Sequence, residues 1–589
     1  MSKKTNIVFA PKFSGEYLKL VQNLSNPALL LIENSTNRDL WIKALTKHNL
    51  VDIYGLIQEN ARANADEFNN SIADHLWKSP ESLSILTRTF ERNTLTSKLF
   101  QDCIFAISGN QIIQGNPHVT IISDRIGVAK DLSNSRESNI RIRYKTENLQ
   151  PGIQIFRDSK RILKFSVWFT GNLLAVRKLE SPNAKIILHS FADRETQSTN
   201  QYEERYFPGL HSKFKHAGYE PSMYISNAGS YPRKLWLHLI DAGMNPTLEF
   251  KYLKPRMLLS IVWKAFKIRK SEKSDFRIAG TLLNETFKQS FKESRFDLGT
   301  LQALTRYYSL NQLVSKRTPT EELIFLCEYE GMQLEKAAAL TRNRFPERLK
   351  IVGIQHGTIF KNLLCTFPTN WDFENSMLPD KIVCNGAQFE KILSSAKIAK
   401  EILEVGPALR YGFLHEHSGE KSLLNGKIIF VPLPLTKNQE IKTIEFIEQA
   451  LGSSSFQVLF KPHPISTTRE ELEACITRHS NFALTVREFS SLLGEIGVVV
   501  SQTTGSLLEF ALLGYPVIRI SNPYEIEFNS LESLEKGVMQ VLEPHELESA
   551  ILTSMTNVGT LNDSTETLES YFYKSKDFDL RIFLPSKII

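Results

Sequence analysis

Short apolar runs alternate with amphipathic runs through the second half of the chain. Apolar runs of about five residues, rich in valine, isoleucine and phenylalanine, predict buried strands, and apolar residues at helical spacing predict helices. Alternation of this kind favours a parallel sheet with helices on both faces. In chain order the predicted elements are strand Lys427–Val431, helix Lys437–Leu451, strand Phe456–Phe460, helix Thr468–Arg478, strand Ile496–Val500, helix Ser506–Leu513 and strand Pro516–Ile520.

The same pattern predicts a second doubly wound α/β domain over about residues 180–410. Its predicted strands and one helix are Lys185–His189, Glu322–Cys327, helix Met332–Thr341, Lys350–Ile354 and Lys381–Cys384. The polar segment Gly412–Gly426 is the predicted linker to the third part, residues 427–589, whose tail Thr565–Tyr573 has helical periodicity. The third part is therefore a second Rossmann-like domain with a C-terminal helix.

The first 175 residues predict an additional α/β region of unclear role. Three apolar runs there have the length and composition of strands. They are Asn6–Ala10, Ala28–Ile32 and Val119–Ser123. The chain therefore divides into residues 1–175, 180–410 and 427–589.

Composition is ordinary for a globular protein, with 42% hydrophobic and 23% charged residues in 589. The five cysteines are widely separated and form no CxxC pair, so we expect neither a disulfide framework nor a cysteine zinc site, as in a reducing cytoplasm. We expect no signal peptide and no transmembrane helix, since no apolar run approaches about 18 residues. The net charge of +7 does not indicate nucleic-acid binding.

One basic segment stands out at residues 251–270. It contains seven lysines and arginines and no acid, interleaved with Trp263, Phe266 and aliphatic residues. Such a segment is typical of an interfacial helix on anionic lipid. The simpler interpretation is a surface helix whose apolar face packs on its own domain.

Candidate chemistry follows the predicted strands, because ligands of open α/β sheets bind outside the carboxyl ends of the strands. Lys461-Pro462-His463-Pro464 comes directly after one strand. Its prolines restrict the backbone around His463, which could donate to a phosphate or protonate a leaving group. A proline-rich turn with an exposed histidine is the alternative.

A hydroxyl-rich turn, Thr503-Thr504-Gly505-Ser506, follows the next strand. Its hydroxyls and the N–H groups of the following helix suit a phosphate or carboxylate. Two interpretations of Glu509 remain open, because it could bind ribose hydroxyls or complete a capping box with Ser506.

The middle domain carries an acid and a histidine at predicted strand ends. Glu330 and His356 could each deprotonate an acceptor hydroxyl. Glu330 is also explained as an acid at a helix N-terminus and His356 as a structural histidine before a glycine turn. Asp193 is a weaker third candidate. No metal-ligand spacing, Walker A motif or GxGxxG motif is present, so we expect neither a metal nor a cofactor.

Taken together, these segments resemble two groups of bacterial enzymes of surface polysaccharide assembly. Glu330-Gly331, His463-Pro464 and Thr503–Ser506 resemble the acid-Gly, His-Pro and Ser/Thr-rich elements of sialyltransferases and polysialyltransferases. His356-Gly357-Thr358 and the Lys-Pro-His-Pro element resemble CDP-glycerol glycerophosphotransferases. Those enzymes typically have Trp where this chain has Gln355, and the resemblance covers about residues 320–520.

The resemblance implies the GT-B architecture, with two Rossmann-like domains facing a cleft and the donor nucleotide mainly on the second. It implies an inverting, metal-independent glycosyltransferase that uses a CMP-activated sugar of the sialic type to build capsule or lipopolysaccharide. The acceptor would be a glycan, free or lipid-linked, at the inner face of the cytoplasmic membrane. Transfer of a polyol phosphate from a CDP donor, a UDP-sugar transferase or epimerase, and a non-catalytic scaffold remain alternatives.

Roles for individual residues follow from the same resemblance. Glu330 would be the general base, with His356 as the alternative, and His463 would serve both catalysis and donor binding. The remaining donor-binding residues would be Lys461, Pro464, Thr503, Thr504, Gly505, Ser506 and Glu509.

Overall fold

Three separate parallel sheets organise the part of the chain that the structure describes. The structure is a computed structural model. It describes residues 5–9, 18–19, 22–23, 28–31, 54–76, 83–114, 119–122, 125–134, 141–143, 151–176, 184–192, 204, 206–227, 247–268, 275–318, 321–418, 426–463, 466, 469–521, 526–532, 534, 538–556, 565–574 and 578–585.

The first sheet belongs to the N-terminal region and has four parallel strands in the order β2-β1-β3-β4. The strands are β1 (Thr5–Phe9), β2 (Ala28–Leu31), β3 (Val119–Ile122) and β4 (Arg141–Arg143). The three predicted N-terminal strands are confirmed. The fourth, at three residues, is too short to give a hydrophobic pattern.

The second sheet has seven parallel strands in the order β13-β12-β11-β10-β5-β6-β7. They are β5 (Ile186–Ala192), β6 (Pro221–Asn227), β7 (Thr247–Leu248), β10 (Leu323–Glu328), β11 (Leu349–Ile354), β12 (Lys381–Cys384) and β13 (Leu403–Val405). The strand order reverses between β5 and β10, and the carboxyl ends at such a switch point border a ligand crevice in open α/β sheets. A short antiparallel hairpin, β8 (Arg277–Ile278) and β9 (Thr281–Leu282), lies outside this sheet.

The third sheet has six parallel strands in the order β16-β15-β14-β17-β18-β19. They are β14 (Ile428–Pro432), β15 (Val458–Lys461), β16 (Phe482–Leu484), β17 (Ile496–Ser501), β18 (Val517–Ile520) and β19 (Val538–Val541). Its switch point lies between β14 and β17, where Ser501 Oγ donates to the Pro432 carbonyl at 2.5 Å. The predicted doubly wound α/β class is confirmed.

The α-helices fill the connections between these strands. In chain order they are α1 (Tyr54–Asp74), α2 (Arg88–Glu91), α3 (Leu99–Gln114), α4 (Ile126–Asn134), α5 (Pro151–Val176), α6 (Leu210–His216), α7 (Arg256–Lys267), α8 (Asn284–Ser294), α9 (Leu298–Ser315), α10 (Gln333–Arg344), α11 (Asn370–Glu374), α12 (Ala387–Ser395), α13 (Gly412–His417), α14 (Lys437–Leu451), α15 (Arg469–Ile476), α16 (Ser506–Leu512), α17 (Pro544–Thr556) and α18 (Thr565–Tyr571). None of the described helices is long and apolar enough to cross a membrane.

The third sheet is buried on both faces, because successive side chains of a strand point to opposite sides. In β14, Ile429 and Val431 pack with α14 and α17 on one face, while Phe430 packs on the other. The face of the third sheet that carries Phe430 packs toward the second sheet. There Tyr329, Ile382 and Phe389 belong to the same hydrophobic cluster as Phe430. A continuous apolar contact therefore joins the two larger sheets.

The C-terminal segment returns from the third sheet to the second. Helix α18 packs against α12, and the Phe572 ring stacks on Tyr411 with centroids 4.1 Å apart. The helical tail is confirmed. The start of the predicted linker is wrong, because Gly412–His417 forms α13, Leu414 is buried, and His415 Nε2 lies 2.6 Å from the Phe572 carbonyl. Residues 419–425 lie outside the described part.

The helices before residue 176 share a core with the second sheet. Phe68 of α1, Phe100 of α3 and Phe169 of α5 belong to one cluster with Ile187 of β5 and Phe325 of β10. The elements on the two sides of residue 175 therefore share one hydrophobic core, although the sequence pattern divides the chain there.

A buried ion triad ties the end of α2 to helices α10 and α11. Asp372 accepts from Arg92 Nη2 at 2.9 Å and from Lys336 Nζ at 2.6 Å, and all three side chains are at most 4% exposed. Burial alone would raise the pKa of Asp372, but Lys336 and Arg92 lower that pKa well below its usual range. The carboxylate is therefore ionised, and the two buried cations share it as a counter-charge.

We expect Asp372→Asn to destabilise the protein strongly, because it leaves the two buried cations without a counter-charge. Breaking a buried pair costs about 3–5 kcal/mol, which should lower the melting temperature by several degrees. Asp275→Asn is the control, since Asp275 pairs with Arg277 at the exposed surface. Calorimetry that gave equal melting temperatures for the two variants would contradict the structural role of the triad.

Candidate functional site

The carboxyl edges of the two larger sheets face each other across a cleft. Thr358, beyond β11, is buried and touches the turn after β17, where a Cβ built on Gly505 would lie 3.3 Å from Thr358 Oγ1. The same edges bring His356 and His463 close enough to affect each other's charge. Two doubly wound domains that meet in this way have the GT-B-like architecture.

Arg410 occupies the centre of this cleft. It lies in a 3₁₀ turn, Leu409–Tyr411, just after β13, and its Nη1 donates to His356 Nε2 at 2.7 Å. Its guanidinium also interacts electrostatically with Glu509 and Glu328. The side chain reaches solvent although protein surrounds most of it, as expected for a residue lining an open cleft.

The Arg410 hydrogen bond defines the state of His356. Burial, and then the Arg410 charge, lowers the pKa of His356 well below its usual range, so the ring is neutral at pH 7. Because Nε2 accepts from Arg410, the single ring proton is on Nδ1. The Tyr206 ring packs on the imidazole with centroids 4.4 Å apart. His356 is therefore held in one orientation and one tautomer.

His463 lies at the same cleft from the side of the third sheet. It follows β15 and is half-buried. Burial, and then the Arg410 charge, lowers the pKa of His463 to about 4. The imidazole is neutral at pH 7 in this structure, and an anion bound beside it would favour the protonated form. Pro464 lies outside the described residues.

Glu328 is the last residue of β10, and Glu330 lies just beyond it. Burial raises the pKa of Glu328 well above its usual range and also raises that of Glu330, while a hydrogen bond from Glu328 and the Arg410 charge oppose the rise at Glu330. Glu328 is therefore the group of the pair that keeps a proton. Its hydroxyl donates to Glu330, which is the more acidic member of the pair.

The backbone around Glu330 is fixed by a tight turn. Gly331 has φ +66°, and a Cβ at this position would overlap the Cys365 backbone carbonyl, so only glycine fits. Glu335 Oε2 accepts from the N–H groups of Glu330 and Met332 at 3.0 and 2.8 Å. The turn holds the Glu330 side chain at the carboxyl edge of β10.

Gln355 has a structural role in the turn that carries His356. Its Nε2 donates to the Gly357 carbonyl at 2.7 Å, and its Oε1 accepts from the Asn385 N–H at 2.9 Å. The side chain is buried and links the ends of β11 and β12. Gln355 thus fixes the direction in which the turn leaves the sheet.

The hydroxyl-rich turn after β17 lines the cleft with half-buried residues. Thr504 Oγ1 accepts from the Ser506 N–H at 3.3 Å, and the Thr504 carbonyl accepts from Ser530 Oγ at 3.0 Å. Thr503, Gly505 and Ser506 are also partly exposed.

The capping-box interpretation of Glu509 is wrong. Gly505 is the N-cap residue and makes no side-chain cap, which leaves Ser506 inside the helix. Glu509 is buried, where desolvation raises its pKa and Arg410 opposes the rise. The carboxyl therefore faces the site, and the ribose-binding role stays a prediction.

Lys461, the last residue of β15, contacts a neighbouring loop. Its Nζ donates to the Arg487 carbonyl and lies 5.2 Å above the Phe489 ring. These contacts hold the ammonium against residues 487–489, and its predicted role in donor binding stays untested.

Arg410, Tyr206 and Glu328 were missed by sequence reasoning, and Asp193 lies outside the described residues. The rule that ligands bind outside the carboxyl ends of strands could also have found Arg410. The turn that carries it begins with Gly406-Pro407, directly after a strand. That strand, β13, has only three residues and gives no apolar run. The Ala408 N–H donates to the Tyr573 carbonyl at 2.9 Å, so the C-terminal segment helps to position the Arg410 turn.

Among the described residues, no group of three or more His, Cys, Asp or Glu side chains is arranged to hold a metal ion. Arg410 brings a permanent positive charge to the cleft. His463 could add a second one by taking up a proton. The arrangement can bind an anion and place a carboxylate base beside it.

Comparison with known proteins finds similarity at the level of the fold. No known protein family matches the sequence, and no curated protein does. UDP-GlcNAc 2-epimerase from Neisseria meningitidis, solved with UDP-GlcNAc, is 13% identical and matches 64% of this chain and 95% of its own with a TM-score of 0.37.

Two further solved structures are similar to the same extent. HepE from Anabaena, solved with UDP and glucose, is 12% identical over 66% of this chain and 96% of its own, with a TM-score of 0.36. The lipopolysaccharide outer core galactosyltransferase WaaB is 11% identical over 68% and 97%, with a TM-score of 0.35. Likeness of this degree describes the fold alone.

We expect Arg410→Gln to raise the pKa of His463 from about 4. Removing a nearby cation favours the protonated imidazole, by about one pKa unit, while burial keeps the pKa below the ordinary 6.5. An NMR titration, with the His463 signal assigned by its loss in His463→Gln, measures the change. Arg487→Gln, at an exposed pair with Glu495, is the control. An unchanged pKa would show that burial alone sets the value.

Proposed function

We propose that this protein is a glycosyltransferase that moves a nucleotide-activated sugar onto an acceptor hydroxyl in the cleft between its two larger sheets. The observation that carries the proposal is the cluster at the cleft centre, where Arg410 lies between His356 and His463 and beside Glu328 and Glu509. It combines an anion-binding cation with a carboxylate pair.

Arg410 and His463 are the groups proposed to hold the donor phosphate. A guanidinium is always charged and can donate two parallel hydrogen bonds to a phosphate. His463 is neutral without ligand, and the phosphate charge would raise its pKa so that it donates as the nucleotide leaves. Both groups would stabilise the negative charge that develops on the leaving phosphate.

Glu330 is proposed as the general base. The Nε2 lone pair of His356 is occupied by the Arg410 hydrogen bond, so His356 is better placed to orient Arg410 than to accept a proton. Glu330 is the more acidic member of the carboxyl pair and accepts from the Glu328 hydroxyl. It would take the acceptor proton as the acceptor oxygen attacks the anomeric carbon, and the bond from that carbon to the phosphate oxygen would break with inversion.

The proposed donor is a CMP-activated sugar of the sialic type, bound without a metal. Such a donor carries one phosphate, which Arg410 and His463 could neutralise together. Thr503, Thr504, Ser506 and Glu509 would contact the remaining donor groups. The acceptor would be a growing glycan, free or lipid-linked, at the cytoplasmic face of the membrane.

We expect Glu330→Gln to lose turnover while keeping nucleotide binding. Loss of a general base costs roughly 10²- to 10⁴-fold in rate. Release of CMP from CMP-N-acetylneuraminic acid measures turnover, and calorimetric titration with CMP measures binding. Glu495→Gln, which changes an exposed carboxylate paired with Arg487, is the control. Turnover near that of the unmodified protein would move the base to His356.

The choice of donor is tested by thermal unfolding with CMP, CDP, UDP and GDP, each with and without EDTA. A ligand that binds only the native state raises the melting temperature by mass action. Selective stabilisation by CMP that survives EDTA is the expected result. Preference for CDP would favour polyol-phosphate transfer, and preference for UDP a UDP-sugar transferase or epimerase. No stabilisation by any nucleotide would favour a scaffold.

A further inference from the structure

Helix α5 exposes an apolar stripe along its outer side. Phe156, Leu163, Val167 and Leu174 are separated by seven, four and seven residues, which places them on one face of a helix. Each is at least 64% exposed. The opposite face of α5 packs against the core, where Phe169 is buried. The exposed stripe is about 27 Å long, at 1.5 Å per residue.

Helix α7 exposes a second apolar patch. Leu259, Trp263 and Phe266 are 75, 55 and 58% exposed, and the Trp263 and Phe266 rings stack with centroids 5.9 Å apart. Ile261 and Ala265 on the other face are buried. The predicted amphipathic helix is present and begins after Pro255. The alternative in which its apolar residues all pack on their own domain does not explain the exposed rings.

The two patches belong to one surface. Helices α5 and α7 contact each other, and both contact α9. Among the described residues, these two helices carry eight of the thirteen large hydrophobic side chains that are exposed. Scattered apolar side chains on a protein surface need no explanation, but a concentration of this kind marks an interaction site.

Basic side chains surround this surface. Lys160 and Lys164 of α5 are exposed, as are Arg256, Lys264 and Lys267 around the α7 patch. No acid occurs in Arg256–Lys267, and the Lys267 ammonium lies 4.7 Å above the Trp263 ring. Exposed aromatic and aliphatic residues with a basic border are suited to the interface of an anionic bilayer.

We propose that α5 and α7 together form a docking surface for an anionic phospholipid membrane, here called the α5/α7 surface. The charge also argues against a second copy of the chain as the occupant. A two-fold interface pairs a surface with itself, so it would bring the basic border of one copy against that of the other. A membrane with acidic headgroups provides the opposite charge.

The α5/α7 surface lies on the part of the protein that carries the second sheet, from which Glu330 and His356 enter the cleft. If the transferase proposal is correct, membrane docking would present this side of the cleft to an acceptor carried by a lipid. This extension depends on the proposed function. The docking itself does not, because it needs neither donor nor acceptor.

The test is co-sedimentation of the full chain with vesicles of phosphatidylcholine alone and of phosphatidylcholine with about 30% phosphatidylglycerol. We expect binding to the anionic vesicles only, weakened by salt. Trp263→Ala with Phe266→Ala should reduce the partition coefficient at least tenfold, and Lys264→Glu with Lys267→Glu should do the same. The melting temperature should stay unchanged, because all four side chains are exposed.

Matched controls come from other exposed positions. Lys391→Glu with Lys400→Glu reverses two exposed charges elsewhere on the second sheet's domain, and Val486→Ser with Leu552→Ser removes two exposed apolar groups outside the α5/α7 surface. Absence of vesicle binding would overturn the proposal, and so would binding that the α5/α7 variants and the controls reduce equally. A concentration-dependent dimer in sedimentation velocity that Trp263→Ala with Phe266→Ala abolishes would assign the surface to a second copy instead.

Discussion

The guanidinium of Arg410 is the interaction on which the rest of the cleft depends. It donates to His356, fixes the tautomer of that ring, and contributes to the low pKa of His463 across the cleft. Burial raises the pKa of the nearby carboxyls, and the same cation opposes that rise at Glu330 and Glu509. One charge therefore adds to the effect of burial on the pKa of residues contributed by both sheets.

Hydrophobic contacts help to hold that charge in place. The Arg410 turn ends at Tyr411, whose ring stacks on Phe572 of the returning C-terminal segment. The cluster around Phe430 and Phe389 joins the two larger sheets behind the turn. The cleft is therefore open at its carboxyl edges and closed by an apolar contact at its base, which keeps the two halves of the site at a short distance.

Much of the third sheet could be predicted from the sequence, since its strands are continuous apolar runs and its helices have clear periodicity. Helix Lys437–Leu451 agrees with its prediction at both ends, and strand Ile496–Ser501 differs by one residue. The rule that ligands meet the carboxyl ends of strands also placed Glu330, His356 and His463 at one cleft. The rule failed for Arg410 because its strand has three residues, too few to show a period.

The sequence by itself determined which segments form strands and which polar residues follow them, because both depend on neighbours a few positions apart. Only the tertiary structure decided which of those residues touch. The Arg410–His356 hydrogen bond joins positions 54 residues apart, and the stacking of Tyr411 on Phe572 joins still more distant ones. The same holds for Glu509, for which the local pattern left a helix cap and ribose binding open. Only the fold shows that its carboxyl is buried near Arg410 and caps no helix. Burial and charge are properties of the assembled fold, so no local pattern specifies them.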